Sequence, residues 1–170
     1  MRSPMLDRSV FIAKLLAALG CGLMAGVYLP FSTFLMRALT RLPPAQGLAA
    51  MQSINATIVS GGRLHPAFAT PFAGTAVLCV ALIIYALTRG RQEPHALLLL
   101  AGGVLYLVGH IGVTGLGNVP LNEALAVVDP TSSEGTRLWA DYQVRWTLWN
   151  TVRTVACLAS ALAFSLSLRG

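Results

Sequence analysis

The sequence predicts an all-α integral membrane protein: a single domain built as a four-helix bundle, with a short interfacial helix and a long structured loop between spans three and four. Hydrophobic residues make up 55% of the 170-residue chain and charged residues only 11%, whereas a soluble domain carries about 25% charged residues. The mean hydropathy is +0.68. Four apolar segments also approach or exceed the roughly 20 residues that a helix needs to cross a bilayer.

These four segments are the expected spans, and they cover residues 10–29, 66–87, 96–117 and 147–168. Each is expected to be helical, because lipid offers no hydrogen-bond partners to backbone N–H and C=O groups. The first is long for the core of a signal peptide and no small-residue cleavage site follows it. It is therefore expected to remain as a span, which continues past Pro30 towards Met36.

The connections between the spans differ in character. The segment 88–95 is short, so spans two and three are expected to form an antiparallel hairpin. Between spans one and two, Gln46–Ser60 is expected to be a short helix at the membrane interface. The segment 118–146 is the most polar part of the chain. It is expected to hold a short helix near Leu121–Val128, a turn at Asp129–Pro130 and a helix from Ser133 that leads into span four.

The basic residues near the span ends predict the orientation. An even number of spans places both termini and the 88–95 loop on one side, with Arg2, Arg8, Lys14, Arg89, Arg91 and Arg169. The other side carries Arg37, Arg41, Arg63, Arg137 and Arg145, spread over longer loops. The positive-inside rule therefore favours cytoplasmic termini and a location in the plasma membrane, the inner membrane of a bacterium.

Several functional classes are not indicated. The net charge of +6 comes from single basic residues at the ends of apolar segments, and no nucleic-acid-binding motif is present. No metal-ligand spacing or nucleotide-binding fingerprint appears, so neither a metal nor another cofactor is expected. The three cysteines are expected to be small buried apolar residues, since no CxxC pair occurs: Cys21, Cys79 and Cys157.

Small residues predict where the spans approach one another. Span one repeats them every fourth residue at Ala18, Gly22 and Gly26, a spacing that allows helices to pack closely. Span three is rich in glycine, which is expected to serve the same purpose, at Gly102, Gly109, Gly112 and Gly115.

Polar residues inside the spans indicate a candidate site. Arg153 lies seven residues into span four, roughly 10 Å deep, and a charge at that depth usually faces a bundle interior or a wet cavity. His110 lies seven residues before the end of span three. Because the two spans are antiparallel, His110 and Arg153 are expected at similar depth. Further polar residues converge on the same end of the bundle, namely Asn55, His65, Asn118, Asn122 and Asn150.

Span four leaves two interpretations open. Trp146, Asn150 and Arg153 share one helical face, and Trp149 flanks it. They form either an aromatic belt at the interface, with Arg153 reaching to the headgroups, or a pocket for a flat aromatic or lipid-like molecule. In such a pocket Trp146 and Trp149 supply apolar walls, while Arg153 and the asparagines hold an oxyanion. The histidines likewise have either a structural or a catalytic role.

Three motifs resemble those of a known family, and the similarity spans nearly the whole chain. Asn118-Val-Pro-Leu-Asn122, followed by Leu125, is similar to a signature of the anthrone oxygenase-like membrane proteins. Trp146-x-x-Trp149-Asn150-x-x-Arg153 resembles a second signature, and Gln52-x-x-Asn55 resembles a pattern in the first long loop.

The resemblance implies oxidation of polyketide anthrones to anthraquinones by molecular oxygen, without a flavin, haem or metal. Under that interpretation Arg153 holds a substrate phenolate, the asparagines donate hydrogen bonds, and His65 or His110 is the base. The alternative is a non-catalytic membrane protein that binds a lipid or quinone or supports a membrane complex. The lipid bilayer is the expected partner in both cases.

Overall fold

The computed structural model describes residues 4–89 and 94–169. That part of the chain forms five helices and one small hairpin, which confirms the helical prediction. The helices are α1 (Pro4–Leu39), α2 (Pro44–Ile58), α3 (Pro66–Arg89), α4 (Ala96–Ala126) and α5 (Ser133–Leu166). The hairpin pairs β1 (Val59–Ser60) with β2 (Arg63–Leu64) in antiparallel register.

The helices α1, α3 and α4 are long and apolar enough to cross a membrane, which indicates an integral membrane protein. The helix α5 contains the expected fourth span but is not among the three. Its polar N-terminal half, together with Asn150 and Arg153, makes it less apolar than the others.

At one end of the bundle, hydrogen bonds join the residues that follow α5 to the start of α1 and to the residue before α4. Lys14 Nζ near the start of α1 donates a hydrogen bond of 3.4 Å to Ser167 O, just past the end of α5. The ring of His95, which precedes α4, hydrogen-bonds Arg169 O. The start of α1 and the end of α5 therefore lie together, as an even number of crossings requires. Of the residues used to predict orientation, Arg2 and Arg91 lie outside the described residues, as does part of the 88–95 connection.

The core at this end is apolar and is called the cysteine half here. It is the part of a larger buried cluster that surrounds Cys21, Cys79 and Cys157. These cysteines are free thiols and are buried, and their burial was predicted. Ser160 Oγ donates to Gly102 O at 2.7 Å and lies 3.2 Å from Cys21 Sγ. A hydrogen-bonded serine thus joins α5 to both α1 and α4.

Only some of the small residues pack as predicted. A Cβ added at Gly102 would lie 3.0 Å from the Phe164 ring, and one at Gly109 would lie 2.7 Å from Ala156 Cβ, whereas additions at Gly22 and Gly26 would meet nothing. The prediction for Gly22 and Gly26 is therefore wrong, as is that for Gly115, where an added Cβ would also meet nothing. The buried face of α1 carries Ala17, Ala18, Cys21, Met24, Ala25 and Tyr28 instead, because the face that holds the glycines points away from the other helices.

The opposite half of the bundle contains π-helical turns, where i→i+5 hydrogen bonds replace the α-helical pattern. They cover Phe31–Leu35 in α1 and Leu105–Gly112 and Thr114–Asn118 in α4. The prediction that a loop begins at residue 118 is wrong, because the helix α4 continues through that position to Ala126. The π turn, in which Val119 N–H bonds Thr114 O, carries the helix up to Pro120, which has no N–H to place.

The structure corrects the predicted end of α2 and confirms the predicted turn before α5. The helix α2 ends at Ile58 rather than Ser60, because Gly61 and Gly62 adopt φ of +57° and +74°, which suits a tight hairpin turn. The turn at Asp129 and the helix from Ser133 are confirmed. Thr131 N donates to Asp129 Oδ1 at 2.8 Å, and this bond, with one from the Thr131 hydroxyl, lowers the pKa of Asp129.

Candidate functional site

Tyr28 is the residue at which His110 and Arg153 meet. The Arg153 Cζ atom lies 3.9 Å from the centroid of the Tyr28 ring, a cation–π distance. The Tyr28 hydroxyl lies 2.9 Å from His110 Nε2, and Tyr28 O accepts a 2.9 Å bond from Asn150 Nδ2. The predicted proximity of His110 and Arg153 is confirmed. These residues, together with Thr114, are called the Arg153 cluster.

The guanidinium of Arg153 lies inside the bundle, and the residue is only 6% exposed. Its Nε and Nη2 donate to Asn150 Oδ1 at 3.1 and 2.9 Å, and Nη1 reaches Thr114 Oγ1 at 3.4 Å. The Trp146 ring lies 5.3 Å from Cζ and is itself buried. The interpretation that Arg153 reaches to the headgroups is therefore wrong.

No carboxylate among the described residues pairs with this buried cation. Its partners are an amide, a hydroxyl and two aromatic rings. By contrast, the exposed Arg145 on the same helix pairs with Asp141 at 3.1 Å. A guanidinium offers five N–H donors, and only three of those of Arg153 have partners. A buried cation without a counter-charge is costly, so the cluster is chemically complementary to an anion.

His110 is fully buried on the inner face of α4. The rings of Tyr106 and Phe72 lie 4.6 and 5.0 Å from its own ring. Its Nε2 is engaged with Tyr28, while its Nδ1 is buried without a hydrogen-bond partner. Because most buried polar atoms in proteins are paired, this nitrogen is a candidate proton acceptor or ligand contact.

Asn118 and Asn122, which belong to the same motif, bond Trp146 rather than Arg153. Asn118 Nδ2 donates to Trp146 O at 3.1 Å, and Trp146 Nε1 donates to Asn122 Oδ1 at 2.7 Å. The Tyr142 hydroxyl also donates to Asn122 Oδ1, at 2.8 Å. Asn118 Oδ1 is buried without a partner. The asparagines therefore belong to two hydrogen-bonded groups, the Arg153 cluster and a second group around Asn122, which adjoin at Trp146.

The remaining predicted site residues lie further from Arg153. Asn55 is next to the Tyr142 hydroxyl, and its Nδ2 is buried. Nearby, Gln52 Nε2 ties α2 to the end of α4 through Leu125 O and Val128 O, at 2.8 and 3.0 Å. Trp149 is 38% exposed and packs on Gly117, so it flanks the site rather than enclosing it.

His65 is exposed and lies in a groove between α1 and α3. This groove, called groove A, has a volume of about 320 Å³ and is otherwise mostly apolar, with Met24, Phe68 and Pro71 in its walls. Neither His110 nor Arg153 lines it. The Phe68 ring adjoins Tyr28, with ring centroids 6.4 Å apart, and therefore stands between groove A and the Arg153 cluster.

A comparison with protein families identifies the chain. The family model described as anthrone oxygenase matches residues 65–163, which is more than half of the chain. The chain belongs to the anthrone oxygenase family. The family resemblance is thereby confirmed over the matched range, which holds His65, His110, Asn118, Asn122, Trp146, Trp149, Asn150 and Arg153. Gln52 and Asn55, which carry the third motif, lie outside that range. No curated protein and no solved structure matches the chain.

In this member of the anthrone oxygenase family, α1 adds site residues that sequence reasoning missed. Tyr28 and Ser32 both bond Asn150, and the Ser32 contact is 2.7 Å. The sequence gives only a weak indication of these two residues. Tyr28 stands two residues before Pro30 in an apolar segment, and Ser32 lies in the π turn that follows. Such turns often occur at functional sites.

Proposed function

We propose that this chain is a membrane oxygenase that oxidises an anthrone-like or another electron-rich aromatic substrate with molecular oxygen. Family membership supports the reaction class. The observation that carries the proposal is Arg153, a buried cation whose described partners include no carboxylate. A substrate that becomes an anion during the reaction would supply the missing negative charge, so the favourable interaction would arise as the anion forms.

The reaction can proceed without a cofactor because the substrate anion itself is the reductant. Loss of a proton from the central carbon of an anthrone gives an extended phenolate. That anion passes one electron to oxygen, and the resulting radical and superoxide combine and take up a proton to form a hydroperoxide. Loss of water then leaves a second carbonyl. Overall, one CH₂ group and one O₂ become one C=O group and one H₂O.

The proposed roles follow from the contacts of each side chain. The unpaired N–H groups of Arg153 would bind the phenolate oxygen, while Asn150 holds the guanidinium in place. His110 is the proposed base: when Nε2–H donates to Tyr28, the unpaired Nδ1 carries a free lone pair. His65 is the alternative base, at the wall of groove A. Rotation of Phe68 would join that groove to the cluster.

We further propose that α5 is the fourth membrane span and that α2 lies at the interface. At 1.5 Å per residue, the 34 residues of α5 reach roughly 50 Å, which is more than the thickness of the hydrocarbon core. Its exposed apolar residues fit a lipid-facing surface, namely Leu148, Val152, Val155, Leu158 and Leu162. Four spans would place both termini on one side of the membrane, and the basic residues on that side favour the cytoplasm. A reporter active only in the cytoplasm, fused after Gly170, should be active, and silence on an expressed protein would reverse the orientation.

Oxygen uptake tests the proposed activity. Membranes that contain the protein should consume oxygen when an anthrone is added, one molecule for each anthraquinone formed, without an added cofactor. Membranes without the protein set the background. If no member of a panel of anthrones and quinols raises uptake above that background, the activity is refuted. The alternative of a non-catalytic protein that binds a lipid or quinone, or supports a membrane complex, would then be preferred.

A further inference from the structure

A second groove lies between the later part of α1 and the middle of α5. It has a volume of about 440 Å³ and is called groove B. Gln143, Thr147 and Thr151 line one wall at every fourth position of α5, so they form a row along one helical face. Arg37 and Thr40 contribute from α1. The surface of α5 thus carries a continuous row of polar side chains along groove B.

Three polar side chains in groove B have no partner. The exposed Arg37 and the half-buried Gln143 make no side-chain hydrogen bond or ion pair within residues 4–89 and 94–169. The Thr147 hydroxyl oxygen is buried and is also unpaired. Buried polar groups without partners are uncommon, and leaving them unpaired is unfavourable. That argument applies to the Thr147 hydroxyl, and the unpaired Arg37 and Gln143 beside it add hydrogen-bond donors and a positive charge that a polar ligand could use.

The remaining features of groove B indicate the chemistry of that ligand. Among the described residues that line it, Arg37 alone is charged, so the groove favours a negative group. Phe31, Met36, Val144 and Leu148 provide apolar contacts beside the polar row. Along α5, exposed apolar residues continue from the groove at a spacing of seven, at Leu148, Val155 and Leu162. A ligand with an anionic head and long hydrocarbon tails matches both the groove that contains Arg37 and the exposed apolar row of α5.

We propose that groove B binds one anionic phospholipid. Its phosphate pairs with Arg37, and its glycerol and ester oxygens reach Gln143 and the Thr147 hydroxyl, which must rotate into the groove. Its acyl chains lie along the exposed row of α5. The groove also adjoins the Arg153 cluster, because Ser32 Oγ bonds Asn150 Nδ2 at 2.7 Å and lies 3.0 Å from Thr151 Oγ1. The lipid site does not depend on the proposed oxygenase activity.

Native mass spectrometry of the full-length protein in detergent tests the site. Dioleoyl phosphatidylglycerol and dioleoyl phosphatidylcholine are added at equal concentrations, so that only the headgroup charge differs. The wild type should retain one phosphatidylglycerol in preference to phosphatidylcholine. Arg37→Gln should weaken that retention about fivefold, the typical effect of one basic residue on binding to anionic lipid. Arg41→Gln, at an exposed arginine that does not line the groove, is the matched control and should bind as the wild type does.

Thr147→Val separates lipid binding from folding. Valine has nearly the shape of threonine but lacks the unpaired hydroxyl, so the melting temperature should equal or exceed that of the wild type while phosphatidylglycerol retention falls. Equal retention of the two lipids by the wild type would overturn the proposal. So would equal behaviour of the Arg37 and Arg41 variants, or of Thr147→Val and the wild type. Displacement of the lipid by millimolar inorganic phosphate would also overturn it, in favour of a free-phosphate site.

Discussion

The cysteine half and the half that holds the Arg153 cluster, called the Arg153 half, share the helices α1, α4 and α5, yet their buried polar groups are arranged differently. In the cysteine half, Ser160 bonds Gly102 O, and α4 is regularly α-helical from Ala96 to Val104. In the Arg153 half, α1 and α4 contain π turns, and His110 Nδ1 and Asn118 Oδ1 have no partner. The difference indicates that one half mainly stabilises the bundle, whereas the other keeps polar capacity available for a ligand.

The largest expected effect is loss of oxygenase activity when the buried cation is removed. Arg153→Leu should lower kcat/KM for oxygen uptake by about 10²–10³, the typical effect of losing one group that stabilises a developing oxyanion. Arg153→Lys should restore only part, because Lys lacks the planar two-pronged donor. Arg145→Leu is the matched control on the same helix, since it removes an exposed arginine and should leave activity unchanged. Wild-type activity in a folded Arg153→Leu protein would exclude Arg153 from the mechanism.

Replacement of the proposed base should have the next largest effect. His110→Gln should lower kcat by roughly 10²-fold or more, in the range of general-base contributions, and should remove the corresponding ionisation from the pH–rate profile. His65→Gln in the same assay distinguishes the two candidates. A larger loss at His65 than at His110 would transfer the role of the base to groove A.

In the cysteine half, substitutions should change stability instead. Gly102→Val places new atoms against the Phe164 ring, where even one Cβ would lie at 3.0 Å. Overpacking of this kind typically costs about 1–3 kcal/mol. The free energy of unfolding in detergent should fall by that amount, while activity per folded molecule stays constant. A loss of specific activity without a loss of stability would contradict the division between the halves.

The smallest effect is expected at the hydrogen-bonded serine. Ser160→Ala removes the bonds to Gly102 O and Cys21 Sγ, and interhelical hydrogen bonds in membrane proteins contribute on average about 0.6 kcal/mol. Unfolding measured beside Gly102→Val should show this smaller loss with unchanged activity. A loss as large as that of Gly102→Val would mean that Ser160 is more important to the core than its contacts indicate.

The sequence predicted the helices and the meeting of His110 with Arg153, because apolar length and residue depth follow directly from spacing. It did not predict that α4 continues through Asn118, since Pro120 normally signals a break and π turns have no clear pattern. It also placed Gly22 and Gly26 at a contact that the structure lacks. Their spacing identified a helical face but not the side on which the neighbouring helices lie.

The sequence predicted only part of the candidate site. Residue spacing shows which side chains share a face of one helix, but not how that helix packs against the others. Asn150 and Arg153 stand on one face of one helix, so their contact follows from local geometry. Tyr28 belongs to another helix, and its role depends on how α1 packs against α4 and α5. His65 and Trp149 were both predicted at one end of the bundle, but one lines groove A and the other is partly exposed. The prediction that these residues converge at one end of the bundle did not determine which side chains face inward.

The central claim is that Arg153 provides the counter-charge for a substrate anion, and an inert substrate analogue tests it most directly. A hydroxyanthraquinone bound to the protein in detergent can be titrated by its phenolate absorption band. The account predicts a ligand pKa below that in empty micelles for the wild type and Arg145→Leu, but not for Arg153→Leu. A bound ligand that titrates in the wild type as it does in empty micelles would contradict the account.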